Sequence, residues 1–207
     1  VPVLTGLLSR DFLNEIKTSS TFSESGFAKE YMSRFVGTSS EAWFDYEKLD
    51  SRRKLVNPET HEIVREGIES FYLLAVDVAR IGCQTVCVVI KVFPNDTEWH
   101  FNVVNIYILG KNDSEKVFDH QVLELKRLME KFHPREVVID INGLGVSFAD
   151  LMIKETFDYE RNIVLPAYGF SNRDEYEGIQ PRGCEKILYG IKATGQINRD
   201  MNSTLFA

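Results

Sequence analysis

The sequence predicts an α/β domain built around a mixed sheet. Three observations predict it. Three apolar, β-branched stretches between Phe71 and Leu109 are joined only by short turns. A strongly amphipathic helix follows them, and two further alternations of strand and helix run toward the C-terminus.

Taken in order, FYLLAVDV, beginning at Phe71, reads as a buried strand from its aromatic and β-branched content. Arg80 to Gln84, with Gly82, reads as a tight turn, TVCVVIKVF as the second strand, and WHFNVVNIYIL, after Pro94–Asn95–Asp96, as the third. Turns this short force an antiparallel meander, because a parallel return needs a dozen or more residues. Phe118, Val122, Leu125, Met129 and Phe132 then recur at spacings of 4, 3, 4 and 3, one apolar helical stripe that Pro134 ends. EVVIDI is the fourth strand, and Gly143 and Gly145 open a second helix through Phe148, Leu151 and Met152. NIVLPAY reads as a fifth strand, Gly169 to Arg182 as a polar loop, and CEKILYGIKATG as a third helix. The order β-β-β-α-β-α-β-α is RNase H-like: a mixed sheet in which parallel strands are added to a hairpin-linked trio through right-handed crossovers.

Residues 1–70 differ in texture from 71–207: they are polar and Ser/Glu-rich, with an amphipathic helix expected at Gly26–Phe35 and a turn-rich connector around Asn57–Pro58. We expect 1–70 to be a helical or linker segment and 71–207 the folded domain. The chain starts with Val rather than Met, which suggests a piece of a longer protein.

Composition narrows the function. With 31 acidic against 24 basic residues the net charge is −7, which disfavours a protein held on nucleic acid by bulk electrostatics. A hydrophobic fraction of 43% suffices for a packed core. No apolar run approaches the roughly 18 residues of a membrane span, and the N-terminus lacks the pattern of a signal peptide. Cys83, Cys87 and Cys184 lack zinc-site spacing and read as reduced core thiols of a cytosolic protein. His61, His100, His120 and His133 are scattered without ligand spacing, and GxxxxGK[ST] is absent, which excludes a P-loop ATPase within this chain.

Two carboxylates interrupt otherwise apolar strands: Asp77 in LLAVDVAR and Asp140 in VVIDINGLG. An ionised carboxylate in such a strand costs several kcal/mol unless a cation or donors compensate it. If the first and fourth strands are parallel neighbours, both acids emerge at one end of the sheet, on strands about 4.8 Å apart. That arrangement suits Mg²⁺ or Mn²⁺, hard cations that need only a few carboxylates and keep several waters. Gly143 and Gly145 allow backbone to approach a substrate closely and start a helix whose N-terminus favours phosphate. Arg173, Arg182 and Lys186 form the best local basic group for phosphate contact.

The combination of LLAVDVAR-IG with VVIDINGLGVSFADLM resembles the nuclease domain of the large terminase subunit of tailed bacteriophages. FAKEYMSRFVGTSSEAWFDYEKL is similar to the stretch that closes that family's packaging ATPase domain, so the resemblance covers most of residues 27–195. It implies a metal-dependent endonuclease of RNase H-like fold that cuts concatemeric viral double-stranded DNA during genome packaging in the host cytoplasm. It also implies two Mg²⁺ or Mn²⁺ ions held by Asp77 and Asp140, an ATPase domain on the same full-length chain, and a small terminase subunit and portal as partners. The family's third acid sits on a late helix. Here Asp200 in NRDMN lies in a polar stretch with no helical stripe, so the third ligand is expected beyond the chain end. Gly82-Cys83-Gln84 departs from the family's usual turn after the first acid. The same scaffold also serves junction resolvases, RNA-strand nucleases and docking modules without catalysis. An actin-like ATPase would need a second Gly-rich loop that is not seen.

Overall fold

The structure is a computed structural model that describes residues 9–18, 22, 27, 46–79, 83–94, 98–110 and 117–206. The expected helix at Gly26–Phe35 lies outside the described residues, apart from Phe27. By its internal contacts the chain divides into two units, Val1–Val56 and Asn57–Ala207.

In the first unit, helix α1 (Arg10–Thr18) places Asp11 in its first turn and Lys17 in its last, matching the helix dipole. The Ser9 hydroxyl caps it by accepting from the Phe12 N–H at 3.1 Å. A shorter helix, α2, spans Tyr46–Ser51.

In the second unit the first three strands are β1 (Phe71–Asp77), β2 (Thr85–Pro94) and β3 (Trp99–Leu109). They form the expected antiparallel meander. Helix α3 (Val117–Phe132) follows, then β4 (Glu136–Asp140), which pairs parallel to β1. Helix α4 spans Leu144–Met152. Strands β5 (Thr156–Asp158) and β6 (Ile163–Leu165) make a separate antiparallel pair. Then come β7 (Tyr168–Phe170), a 3₁₀ turn at Asp174–Tyr176, β8 (Glu185–Ile191) and helix α5 (Gly195–Phe206). The six-stranded sheet runs β3-β2-β1-β4-β8-β7.

Strand alternation sends Tyr72, Leu74, Val76, Val137 and Ile139 to one face, where they bury against Val122, Leu125, Met129 and Phe132 of α3 and Phe148 and Met152 of α4. Tyr72 packs on Phe132 at 5.4 Å between ring centroids, and Phe118 meets Phe148 edge-on. The apolar stripe read from α3 is therefore the core stripe.

Four expectations change. CEKILYGIKATG is not a helix but β8 and the start of the chain beyond it. The set Cys184, Ile187, Leu188 and Ile191 has the helical spacing i, i+3, i+4, i+7, and what overrides it is β4, whose free edge needs a hydrogen-bonding partner; β8 supplies it from Val137↔Leu188 to Asp140↔Ile191. A glycine at 190 also costs a helix about 1 kcal/mol. In β8 it leaves room for neighbouring side chains, since a Cβ there would lie 2.9 Å from Ile141 Cδ1 and 3.1 Å from Arg173 Nε. The expected fifth strand, NIVLPAY, is divided at Pro166, which has no N–H for a ladder: Ile163–Leu165 pairs with β5, and Tyr168 opens β7 at the sheet edge. Asp200 does lie on a helix, α5, which Thr194 starts by accepting from the Ile197 N–H at 3.2 Å. Of the three free thiols only Cys87 is in the core; Cys83 is exposed and Cys184 half-buried.

The unit begins ahead of residue 71 because the preceding segment bonds into it. The Glu59 N–H donates to the Val104 carbonyl at the β3 bulge, closing part of that edge strand. Buried Lys91 donates to the Ile63 carbonyl at 2.7 Å, and the Tyr72 hydroxyl donates to Glu59 at 2.5 Å. Desolvation and the neighbouring Glu59 push the Tyr72 phenol well above its usual range. Among the described residues no helix is long and apolar enough to cross a membrane.

Candidate metal centre

β1 and β4 run parallel in a register that ends at Val76↔Ile139. The next residue on each strand is a carboxylate, Asp77 and Asp140. Since Val76 and Ile139 both point into the helix-covered core, the two acids project from the opposite face, side by side at the C-terminal end of the sheet. Neighbouring strands at about 4.8 Å bring them within reach of one cation.

Each acid has its own surroundings. Asp77 is exposed and pairs through its backbone with Val86. Asp140 is half-buried; its Oδ1 accepts from the Asn142 N–H at 3.0 Å, an Asx turn that leaves Oδ2 for another partner. Asn142 in turn donates from Nδ2 to the Ala193 carbonyl at 3.0 Å, which ties the end of β4 to the connector between β8 and α5. Among the described residues no Lys or Arg forms an ion pair with either carboxylate.

Two oxygen-donor side chains sharing one face and one sheet end, with no basic side chain among the described residues paired to them, fit a hard divalent cation that keeps waters in its remaining positions. Asp77 and Asp140 would hold it. Among the described residues no group of three His, Cys, Asp or Glu stands close enough to hold a metal, so Asp200 does not join the pair in this geometry.

The glycines play different parts. Gly143 is exposed with φ of 51° at the N-cap of α4, and a Cβ there would meet open space. It is free to lie against a ligand. Gly145 is buried against the Asp140 carbonyl and serves packing rather than substrate.

The basic residues separate as well. Arg173 Nε and Nη2 both donate to the Gly190 carbonyl, at 3.0 and 2.6 Å, so its guanidinium is committed to the C-terminal end of β8. Lys186 pairs with Glu177 at 3.7 Å at the other end of β8. At about 3.3 Å per residue it stands roughly 16 Å along the strand from Ile191, the neighbour of Asp140. Arg182 precedes it in the turn that leads into β8. Neither stands beside the carboxylates.

Sequence reasoning missed Asn142, Thr85 and Gln121. Asn142 carries a legible signal, an Asn two places after a strand-end Asp. Gln121 carries a fainter one, a polar residue beside Val122 on the apolar stripe of α3. Compared with known proteins, the chain matches no family model and no curated protein sequence.

Proposed function

We propose that this chain is a divalent-metal-dependent endonuclease of RNase H-like fold, the nuclease domain of a large terminase subunit acting on viral double-stranded DNA. The observation that carries the reading is the register of Asp77 and Asp140 on adjacent parallel strands. The sheet order supports the fold, with a three-stranded meander followed by β4 and β8 added in parallel.

Bound Mg²⁺ or Mn²⁺ would supply an acidified water and charge stabilisation for the leaving oxygen of a phosphodiester. The chain's own residues do the rest. Asp77 presents an open carboxylate to solvent. Asp140 is oriented by the Asn142 N–H, which holds one oxygen and leaves the other for a ligand. The N-terminus of α4, four residues beyond Asp140, favours the anionic backbone of the substrate.

In this reading the packaging ATPase domain of the full-length chain, the small terminase subunit and the portal bring DNA to the site in the host cytoplasm. An acidic domain then has no need of tight binding of its own.

The test is conversion of supercoiled plasmid to nicked and linear forms with Mg²⁺, Mn²⁺, Ca²⁺ or EDTA. We expect Mn²⁺- or Mg²⁺-dependent cutting that falls at least a hundredfold in both Asp77→Asn and Asp140→Asn. Cutting that survives either substitution in full would refute the assignment. Equal activity on branched DNA would favour a junction resolvase on the same scaffold.

A further inference from the structure

The ladder that makes Asp77 and Asp140 neighbours stops one position short of them, at Val76↔Ile139. On its other side β1 stays paired with β2 as far as Asp77↔Val86, and beyond that pair side chains take over. The chain leaves the strand through Val78 and Ala79, and Ala79 is bonded at both of its backbone groups. Its N–H donates to Thr85 Oγ1 at 2.9 Å. Its carbonyl lies 2.9 Å from the same hydroxyl and accepts from Gln121 Nε2 at 3.3 Å. Thr85 Oγ1 also lies 2.9 Å from Gln121 Oε1. With a single proton the hydroxyl donates to one of these two oxygens while it accepts from Ala79.

Thr85 and Gln121 are 1% and 2% exposed. A glutamine in that position is uncommon, because its amide loses water and must recover every bond inside the protein. Gln121 meets the Ala79 carbonyl and the Thr85 hydroxyl there, two residues beyond Asp77. It is also walled in: a Cβ on Gly110 would lie 2.6 Å from its Cγ. The buried amide thus runs from α3, which is anchored in the core, to the exit of the carboxylate-bearing strand.

We propose that Thr85 and Gln121 are positioning residues for Asp77, fixing the end of β1 so that its carboxylate meets the cation shared with Asp140. This rests on reading the carboxylate pair as a divalent-cation centre. Mg²⁺ tolerates little departure from octahedral geometry, and a misplacement of about 1 Å can cost on the order of a hundredfold in rate. A threonine at 85 serves the clamp through its hydroxyl, and valine, of nearly the same shape, lacks it.

The experiment is Mn²⁺ titration of the full chain by electron paramagnetic resonance, beside thermal melting of each variant. Wild type, Asp77→Asn, Asp140→Asn, Thr85→Val, Thr85→Ser and Gln121→Met are compared. We expect Mn²⁺ affinity that is lost in both Asp variants, weakened at least tenfold in Thr85→Val and Gln121→Met, and restored in Thr85→Ser. If Thr85→Val does not fold, Gln121→Met, similar in volume to glutamine, carries the same comparison. Wild-type affinity in folded Thr85→Val and Gln121→Met, with only a lower melting temperature, would overturn the proposal and leave the clamp a closure of the β1–β2 hairpin. Wild type binding Mn²⁺ no better than the Asp variants would overturn the metal reading itself, and the proposal with it.

Discussion

A Cβ on Gly145 would lie 2.0 Å from the carbonyl oxygen of Asp140. No side chain can be admitted there without moving α4 off the end of β4. Gly145→Ala is expected to cost on the order of 3 kcal/mol, the upper range for overpacking, and to reduce cleavage with it. Gly143→Ala meets open space and bears only a backbone penalty of about 1–2 kcal/mol, because φ of 51° with ψ of −106° suits glycine alone. Urea denaturation of the two variants checks the order, and equal losses would contradict it.

Arg173 is held by bonds that a DNA contact would not need. Asn172 joins it: Nδ2 donates to the Gly190 carbonyl at 3.0 Å and Oδ1 accepts from the Gly190 N–H at 2.9 Å. Arg173→Ala should lower stability by about 1–3 kcal/mol, as for a lost bond from a charged donor. Lysine should not rescue it, because one ammonium cannot reproduce the two-pronged contact. A variant with unchanged stability but a shallower salt dependence of DNA binding would instead make Arg173 a phosphate contact.

Lys126 and Asp158 both make stability rise with pH, in two separate windows. Lys126 is fully buried, donates to the Lys154 carbonyl and, at 2.8 Å, to the Pro166 carbonyl, and is pushed down by burial to about 8. An unfolded lysine holds its proton up to about 10.4, so between these values the unfolded chain binds more protons and stability rises with pH. Across pH 8 to 10.5 the wild type should gain on the order of 2–3 kcal/mol relative to Lys126→Met. The neutral amine keeps two N–H donors for its two carbonyls.

Asp158 is also fully buried, and hydrogen bonds from Arg127 first, then Arg161, hold its carboxyl well below the usual range. Its contribution is present above about pH 4, where an unfolded aspartate is ionised, and is lost as pH falls further. Asp158→Asn should therefore flatten the acid limb of the stability profile. Chemical denaturation at stepped pH reads both effects, and parallel profiles for wild type and variants would count against them.

The thiols should label in order of exposure. Cys83 is open to solvent, Cys184 is half-buried, and burial pushes the Cys87 thiol up to about 12. Under limiting iodoacetamide, mass spectrometry should find Cys83 modified first and Cys87 protected until denaturant is added. Early modification of Cys87 would mean that the sheet opens locally.

By itself the sequence determined whatever depends on neighbours along the chain. The meander follows from turns too short for anything else, and the α3 core stripe from spacings within one helix. Asp77 and Asp140 stand out because each breaks an apolar strand. Tertiary structure decided whatever depends on partners distant in sequence. The apolar positions from Cys184 to Ile191 are spaced as in a helix, and the free edge of β4 makes residues 185–191 a strand. The register that aligns Asp77 with Asp140, and the reach of Gln121 to the exit of β1, join residues that no local pattern relates. Side-chain periodicity is a property of one segment, whereas a ladder or a buried hydrogen bond exists only once two segments have met.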